Sequence, residues 1–489
     1  MTIRAIRLLT PSLVAISLTA MIAAVSVPNP FPDPTGAVAT FSPSGNIDGS
    51  GAFFQNLGTN GRTCGTCHRA DQAMSLSSTG ARAIYLRSHG RDPLFAAVDG
   101  SNCPTDDVSK AESHSLLLNR GLIRVGLPLP GNREFSVSVV HDPYGCAITR
   151  DANTGVDVIS VYRRPLPTTN LRFLSAVMFD GRDTVLPLTS GSTYMANLEA
   201  DLKQQALEAT KGHAQATSPP TDAQLNEIVS FELGLNTAQI ADRRAGILYK
   251  KGALGGPVAL ANLPYYPGIN DSLGADPTGA KFNPSAMTLF SAWDSTSISD
   301  HPEEDDGAEM RNRIAAGEKL FNTATATITD VRGLNDNPAL GSPALIKGTC
   351  TTCHDTPNVG NHSLPLPLDI ATSRQATFES NPDIVAGLAK LSPPDLPVFE
   401  ISGCTDSGNP SLKVMFYTSD PGKALISGKC SDVNRGKGPV LRGLAARAPY
   451  FHNGAAANLQ QLVDFYNNRF QMSLTAEQKA DLIAFLNSL

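Results

Sequence analysis

Two short stretches, CGTCH at 64–68 and CTTCH at 350–354, constrain this chain more than anything else in it. Each offers two thiols three positions apart, with an imidazole beside the second. A structural zinc site needs four ligands, usually in two close pairs, and these pairs lie nearly 300 residues apart. A thioredoxin-like redox pair wants a βαβ context, and neither stretch has one. Covalent haem attachment wants what is present: two thiols for the vinyl groups and an adjacent histidine nitrogen for the iron. The sequence is therefore expected to carry two covalently bound haems c. Cys64, Cys67, Cys350 and Cys353 attach them, and His68 and His354 are the proximal iron ligands.

The remaining cysteines, Cys103, Cys146, Cys404 and Cys430, fall as one pair downstream of each motif. In an oxidising compartment the simplest pairing is Cys103–Cys146 and Cys404–Cys430, although spacing alone does not fix connectivity. The N-terminus points to such a compartment. Arg4 and Arg7 precede an apolar run from Leu8 to Val25, followed by the small residues Ala24 and Ser26 and then PNPFPDP. This reads as a secretory signal peptide over 1–26, so a periplasmic protein, soluble after cleavage, is expected. Losing the two arginines takes the formal charge from −6 to −8. That balance argues against a nucleic-acid partner and suits a basic electron donor.

Helical patterning dominates what periodicity there is. The stretch 219–234 carries a Thr221-x-x-Gln224 capping box and an apolar face of Leu225, Ile228, Val229 and Phe231, and ends at Gly234. The C-terminus repeats the design with Thr475-x-x-Gln478 before Leu482, Ile483, Leu486 and Leu489. A third helix is expected over 197–210, and strand-like runs such as FSVSVV (135–140) are short. The expected class is mainly α: two cytochrome c-like helical haem domains with long loop insertions and a few short strands. An N-terminal haem domain would span 27–244 and a C-terminal one 306–489. Between them, 245–305 is an irregular Gly/Pro/Asn-rich connector holding the chain's only tryptophan, Trp293, read as a packed aromatic.

Further segments, in order, carry a resemblance: RRPLPTTN (163–170), FDGRD (179–183), LKQQA (202–206), IVSFELGL (228–235), GEKLF (317–321) and LRGLAARAPYFHNG (441–454). Together with both haem motifs, the chain resembles the bacterial di-haem cytochrome c peroxidases and their relative MauG. The resemblance implies a reactive N-terminal haem, a C-terminal haem that transfers electrons, hydrogen peroxide as oxidant and a small cytochrome c or cupredoxin as donor. It also implies a haem-propionate role for Arg442. The family's inter-domain calcium site uses an Asn in the segment where Arg164 stands, so calcium is admitted but unsupported.

The departures from the family pattern are as informative as the matches. Where the family has a Trp that relays electrons between the haems, this chain has Phe179. Gln205 matches the family's distal Gln, but the acid–base Glu ten positions on is Gln215, which moves no protons. His213, two residues away, is the candidate to replace it as general base or to ligate the iron, with a surface loop histidine as the plain alternative. His89 ranks below it as a distal ligand, His114 and His141 lower still, and His301 has no argument. At the second haem the peroxidases place a Met and MauG a Tyr. Counting from the 441–454 block puts Tyr466 there, with Met472 and Met415 as alternatives. The expected activity is a peroxide-reactive oxidoreductase. The alternatives are a non-enzymatic electron-transfer cytochrome with both irons closed, and an oxygen-using di-haem oxygenase.

Overall fold

Helices form where caps and apolar spacing coincide. In the computed structural model, which describes residues 30–45, 47–294, 306–388, 391, 393–405, 411 and 413–489, the capping box at Thr221 opens the helix Asp222–Gly234. Thr221 N donates to Gln224 Oε1 at 2.9 Å, and Leu225, Ile228 and Val229 are buried. The box at Thr475 opens Ala476–Asn487 in the same way. The expected 197–210 helix runs from Tyr194 to Gly212 and packs against Asp222–Gly234. The signal-peptide stretch 1–26 and His301 lie outside the described residues.

Strands take a larger share of the chain than the mainly helical reading anticipated. Phe31–Pro32, Gly36–Phe41, Asn236–Asp242 and Gly246–Ile247 form a four-stranded antiparallel sheet, so the chain near 40 returns to pair some 200 residues later. Ile123–Pro128, Asp157–Arg163 and Ile148–Arg150 form a second sheet. Ser136–His141, the FSVSVV run, pairs with Val398–Thr405, which pairs with Lys413–Thr418. Ala326–Ile328 and Ile346–Gly348 make a two-stranded ribbon leading into the second motif. These strands are hard to read from sequence patterning because most are short and pair with segments far away in the chain.

The largest apolar core joins the irregular segment to the C-terminal helices. Leu248, Met287, Phe290 and Trp293 pack with Ile314, Phe321, Leu482 and Phe485. Trp293 is 2% exposed and its Nε1 donates to Lys250 O, as a packed aromatic should. Each such large side chain contributes about 1.5–3 kcal/mol on burial. The segment 245–294 is thus irregular in backbone yet part of this core. The helices Ala308–Thr323 and Ala476–Asn487 cross closely at Gly317, where a Cβ would lie 2.0 Å from Asp481 O. Only glycine permits that approach.

Charge also ties the two halves of the sequence together. Arg163 is buried between Asp180 and Asp420, bonding the latter through Nε at 2.6 Å and Nη2 at 2.9 Å. Burial pushes Asp420 up, but the Arg163 charge and hydrogen bonds outweigh it and hold the carboxyl below the usual range. No helix among the described residues is long and apolar enough to cross a membrane.

Candidate haem-binding sites

Both Cys-x-x-Cys-His stretches fold alike, and flanking threonines are the reason. A threonine precedes each first cysteine and another precedes each second. Thr63 N donates to Thr66 Oγ1 at 3.0 Å, and Thr349 N donates to Thr352 Oγ1 at 2.9 Å. Each stretch therefore winds into one helical turn, Cys64–Cys67 and Cys350–Thr352, with both thiols on a tight bend. These four cysteines are unbridged, whereas Cys103 is bonded to Cys146 and Cys404 to Cys430. Burial pushes each motif thiol up to about 12.

The two histidines are prepared in the same way. His68 Nδ1 faces Met74 O at 3.3 Å, and His354 Nδ1 bonds Gly360 O at 2.7 Å. A ring that donates from Nδ1 to a carbonyl presents the Nε2 lone pair, the tautomer an iron ligand needs. Burial lowers His68 to about 4 and also lowers His354, which keeps both imidazoles neutral. Phe53, Phe54 and Phe231 form an aromatic pile beside His68, with ring centroids 4.8–5.4 Å apart. Phe321 flanks His354.

Buried guanidinium groups test whether haem fits. Arg442 is 3% exposed and bonds Asn358 O through Nη2, yet its Nε and Nη1 have no partner among the described residues. Arg447 Nε is likewise unpartnered. Burial pushes Arg442 down to about 9 and Arg447 to about 10. Buried cations with unmade hydrogen bonds are costly, and the propionates of a haem are the anions that would satisfy them. The donor set and its unmet bonds fit the group.

On the N-terminal side the structure assembles a cluster that sequence reading missed. His213 caps the Tyr194–Gly212 helix and bonds Asp99 Oδ2 through Nδ1. Arg62, two residues before Cys64, bonds the other Asp99 oxygen, and also Pro93 O and Leu94 O, each at 2.7 Å. Burial pushes Asp99 up, but His213 and Arg62 together hold it below the ordinary carboxylate range. The cluster adjoins the haem motif: Arg62 and Asp99 act on Cys67, and His213 helps to lower His68. No local signal marks Asp99, which sits in an ordinary Asp-Gly stretch 35 residues beyond Cys64. Arg62 was findable only by its place beside the motif.

Other candidates separate clearly. Gln205 is half-buried about 12 Å earlier along the same helix and makes no side-chain hydrogen bond among the described residues. His89 is exposed at the C-terminal end of the helix Ser78–Ser88. His114 is fully buried with its nitrogens against Gly100 O and Val108 O, and His141 is an exposed strand residue. Gln215 holds a loop: its main-chain carbonyl accepts from Thr59 Oγ1.

Tyr466 lies on the helix Leu459–Arg469, within an aromatic group of Phe451, Phe465 and Phe470, and packs on the same core as Cys350. Burial raises its phenol, and nearby Cys353 and Cys350 add to the shift. Its hydroxyl makes no hydrogen bond among the described residues. Met472 sits in the adjoining cluster with Ile328 and Phe470, while Met415 is 57% exposed on a strand. Phe179 stacks on His452 at 4.2 Å, with the Arg163 guanidinium 5.1 Å from its ring. Arg164 donates to the carbonyls of Leu76, Arg447 and Pro449, so a fixed guanidinium occupies the carbonyl cluster at its segment.

Parts of the chain are similar to curated cytochrome-c peroxidases. It is 31% identical over 155 residues to cytochrome-c peroxidase IdrP2 of Denitromonas iodatirespirans, covering 29% of this chain and 36% of that protein. It is 35% identical over 81 residues to cytochrome-c peroxidase IdrP1 of Pseudomonas sp. (strain SCT), covering 14% and 21%. It is 29% identical over 206 residues to IdrP2 of the same strain, covering 37% and 51%. The chain thus spans between a fifth and a half of the length of these relatives. The similarities support a cytochrome c peroxidase-like family. No family model matches the chain, and no solved structure matches it.

Proposed function

We propose that this chain is an exported di-haem c-type oxidoreductase that reacts with hydrogen peroxide at an N-terminal haem and passes electrons through a C-terminal one. The observation that carries the reading is the pair of matched motifs, each with two unbridged thiols and a histidine whose Nδ1 is engaged by a main-chain carbonyl. Haem, when bound, supplies the redox change that cleaves peroxide. Everything else falls to the side chains. Cys64, Cys67 and His68 would hold the first haem; Cys350, Cys353 and His354 would hold the second, with Arg442 and Arg447 to pair its propionates and Tyr466 as a further ligand to the iron.

His213 is the proton carrier of this reading. Its Nδ1–H donates to Asp99, which fixes the ring and leaves the Nε2 lone pair to accept a proton. Nε2 can then take a proton from peroxide and return it to the departing oxygen. Gln205 orients the oxidant. Phe179 stacked on His452 is the path between the halves, and its phenyl ring is harder to oxidise than an indole. Two disulfides suit export to an oxidising periplasm. The donor would be a small cytochrome c or cupredoxin.

Mixing the purified holoprotein with peroxide under stopped flow tests the reading. Rapid bleaching or shift of the haem bands, with turnover of a reduced donor, is expected, and His213→Ala should slow it at least tenfold. Inertness to peroxide, with wholly low-spin haem by electron paramagnetic resonance, would instead make the chain an electron carrier.

A further inference from the structure

Asp271, Asp355 and His362 meet beneath the second haem motif, and each is at most 4% exposed. One donor atom from each lies within 4.8 Å of the other two. That is close to the spacing at which one ion bonds all three at about 2.0–2.2 Å. The loop 268–279 and the motif are tied there, since Asn270 Nδ2 donates to Asp355 O at 2.9 Å and Gly268 N donates to Ser363 O at 2.8 Å. Asp271 Oδ2 accepts from Leu273 N and Ala275 N, and Asp355 Oδ1 accepts from Ser363 N. The remaining oxygens, Asp271 Oδ1 and Asp355 Oδ2, have no hydrogen-bond partner among the described residues. His362 Nδ1 stands 3.5 Å from Asp355 Oδ2, with Leu364 N at 3.4 Å from the same nitrogen.

Two buried carboxyl groups side by side are relieved either by a shared proton or by a cation, and a cation also satisfies their unpartnered oxygens. Among the described residues no lysine or arginine forms an ion pair with either of them. We propose that Asp271, Asp355 and His362 bind a divalent transition-metal ion of the zinc or manganese class. Two carboxylate oxygens and one imidazole nitrogen suit such ions, whereas calcium takes six to eight oxygens and magnesium keeps its waters. Asp355 directly follows His354, so the ion would brace the end of the second motif against the loop 268–279. It is separate from the peroxide chemistry at the N-terminal haem.

Elemental analysis of the purified holoprotein, normalised to haem, reads the site directly. One non-haem zinc or manganese per chain is expected, retained through desalting. Wild type stripped with chelator should take up Zn(II) or Mn(II) one to one by calorimetry. Asp271→Asn with His362→Gln should lose that uptake at least tenfold while keeping both haems. Should that double variant fail to fold, the stripping and reloading of wild type decides alone, with recovery of thermal stability on reloading. Stripped wild type that binds neither ion, that binds calcium only, or a folded double variant that binds equally would each overturn the assignment. All these readouts are independent of peroxide turnover.

Discussion

Replacing Asp99 with Asn separates the proton-carrying role proposed for His213 from its place in the fold. Asn keeps the shape but removes the charge that both Arg62 and His213 face. Arg62 is 3% exposed, so losing its anion costs on the order of 3–5 kcal/mol if nothing compensates. Here it keeps its bonds to Pro93 O and Leu94 O, and the Asn carbonyl still accepts one hydrogen bond. We therefore expect a loss of about 2 kcal/mol, visible as a lower urea midpoint with an unchanged slope. The chemical effect is distinct. Removing the carboxylate that orients a proton-carrying histidine forfeits part of the roughly 10²–10⁴-fold that general acid–base catalysis supplies, so the peroxide reaction should slow by about tenfold or more. Measuring peroxide reaction rates against pH for wild type and Asp99→Asn separates the two effects. A variant that loses stability yet reacts with peroxide at the wild-type rate and pH profile would show that the pair serves the fold alone.

Three further outcomes follow from the structure. Converting Cys404 and Cys430 to Ser opens a loop with a sequence separation of 26, for an expected loss of about 3.5 kcal/mol in chemical denaturation. Burial holds His452 at about 4, against about 6.5 in an unfolded chain, so between those values only the unfolded chain binds the proton. Stability should therefore rise with pH across that window and be lost as pH falls from about 6.5 to 4, by roughly 3 kcal/mol at most, and His452→Gln should flatten the urea midpoint there. Tyr466→Met should raise the potential of the C-terminal haem in a redox titration, because a thioether favours Fe(II) and a phenolate Fe(III); an unchanged potential would remove Tyr466 from the iron.

What the sequence disclosed depended on how local the signal was. The haem motifs, the capping boxes at Thr221 and Thr475 and the helix around Gln205 are set by residues within a turn or two of one another. The simplest cysteine pairing also matched, because each pair sits downstream of its own motif. Asp99 was illegible because its meaning comes from Arg62, 37 positions back, and His213, 114 positions on. The small sheets were obscured by the shortness of their strands and by long-range pairing, as between Ser136–His141 and Val398–Thr405. The segment 245–294 lacks periodicity, yet Met287, Phe290 and Trp293 carry it into the core. His362 was passed over because its partners Asp271 and Asp355 come together only through the 268–279 loop.

The intact mass of the purified protein under denaturing conditions tests the central claim most directly. Two haems per chain should remain attached after unfolding, with the pair Cys64→Ala and Cys67→Ala removing one and Cys350→Ala with Cys353→Ala removing the other. A wild-type mass carrying one haem or none would contradict the di-haem account at its root.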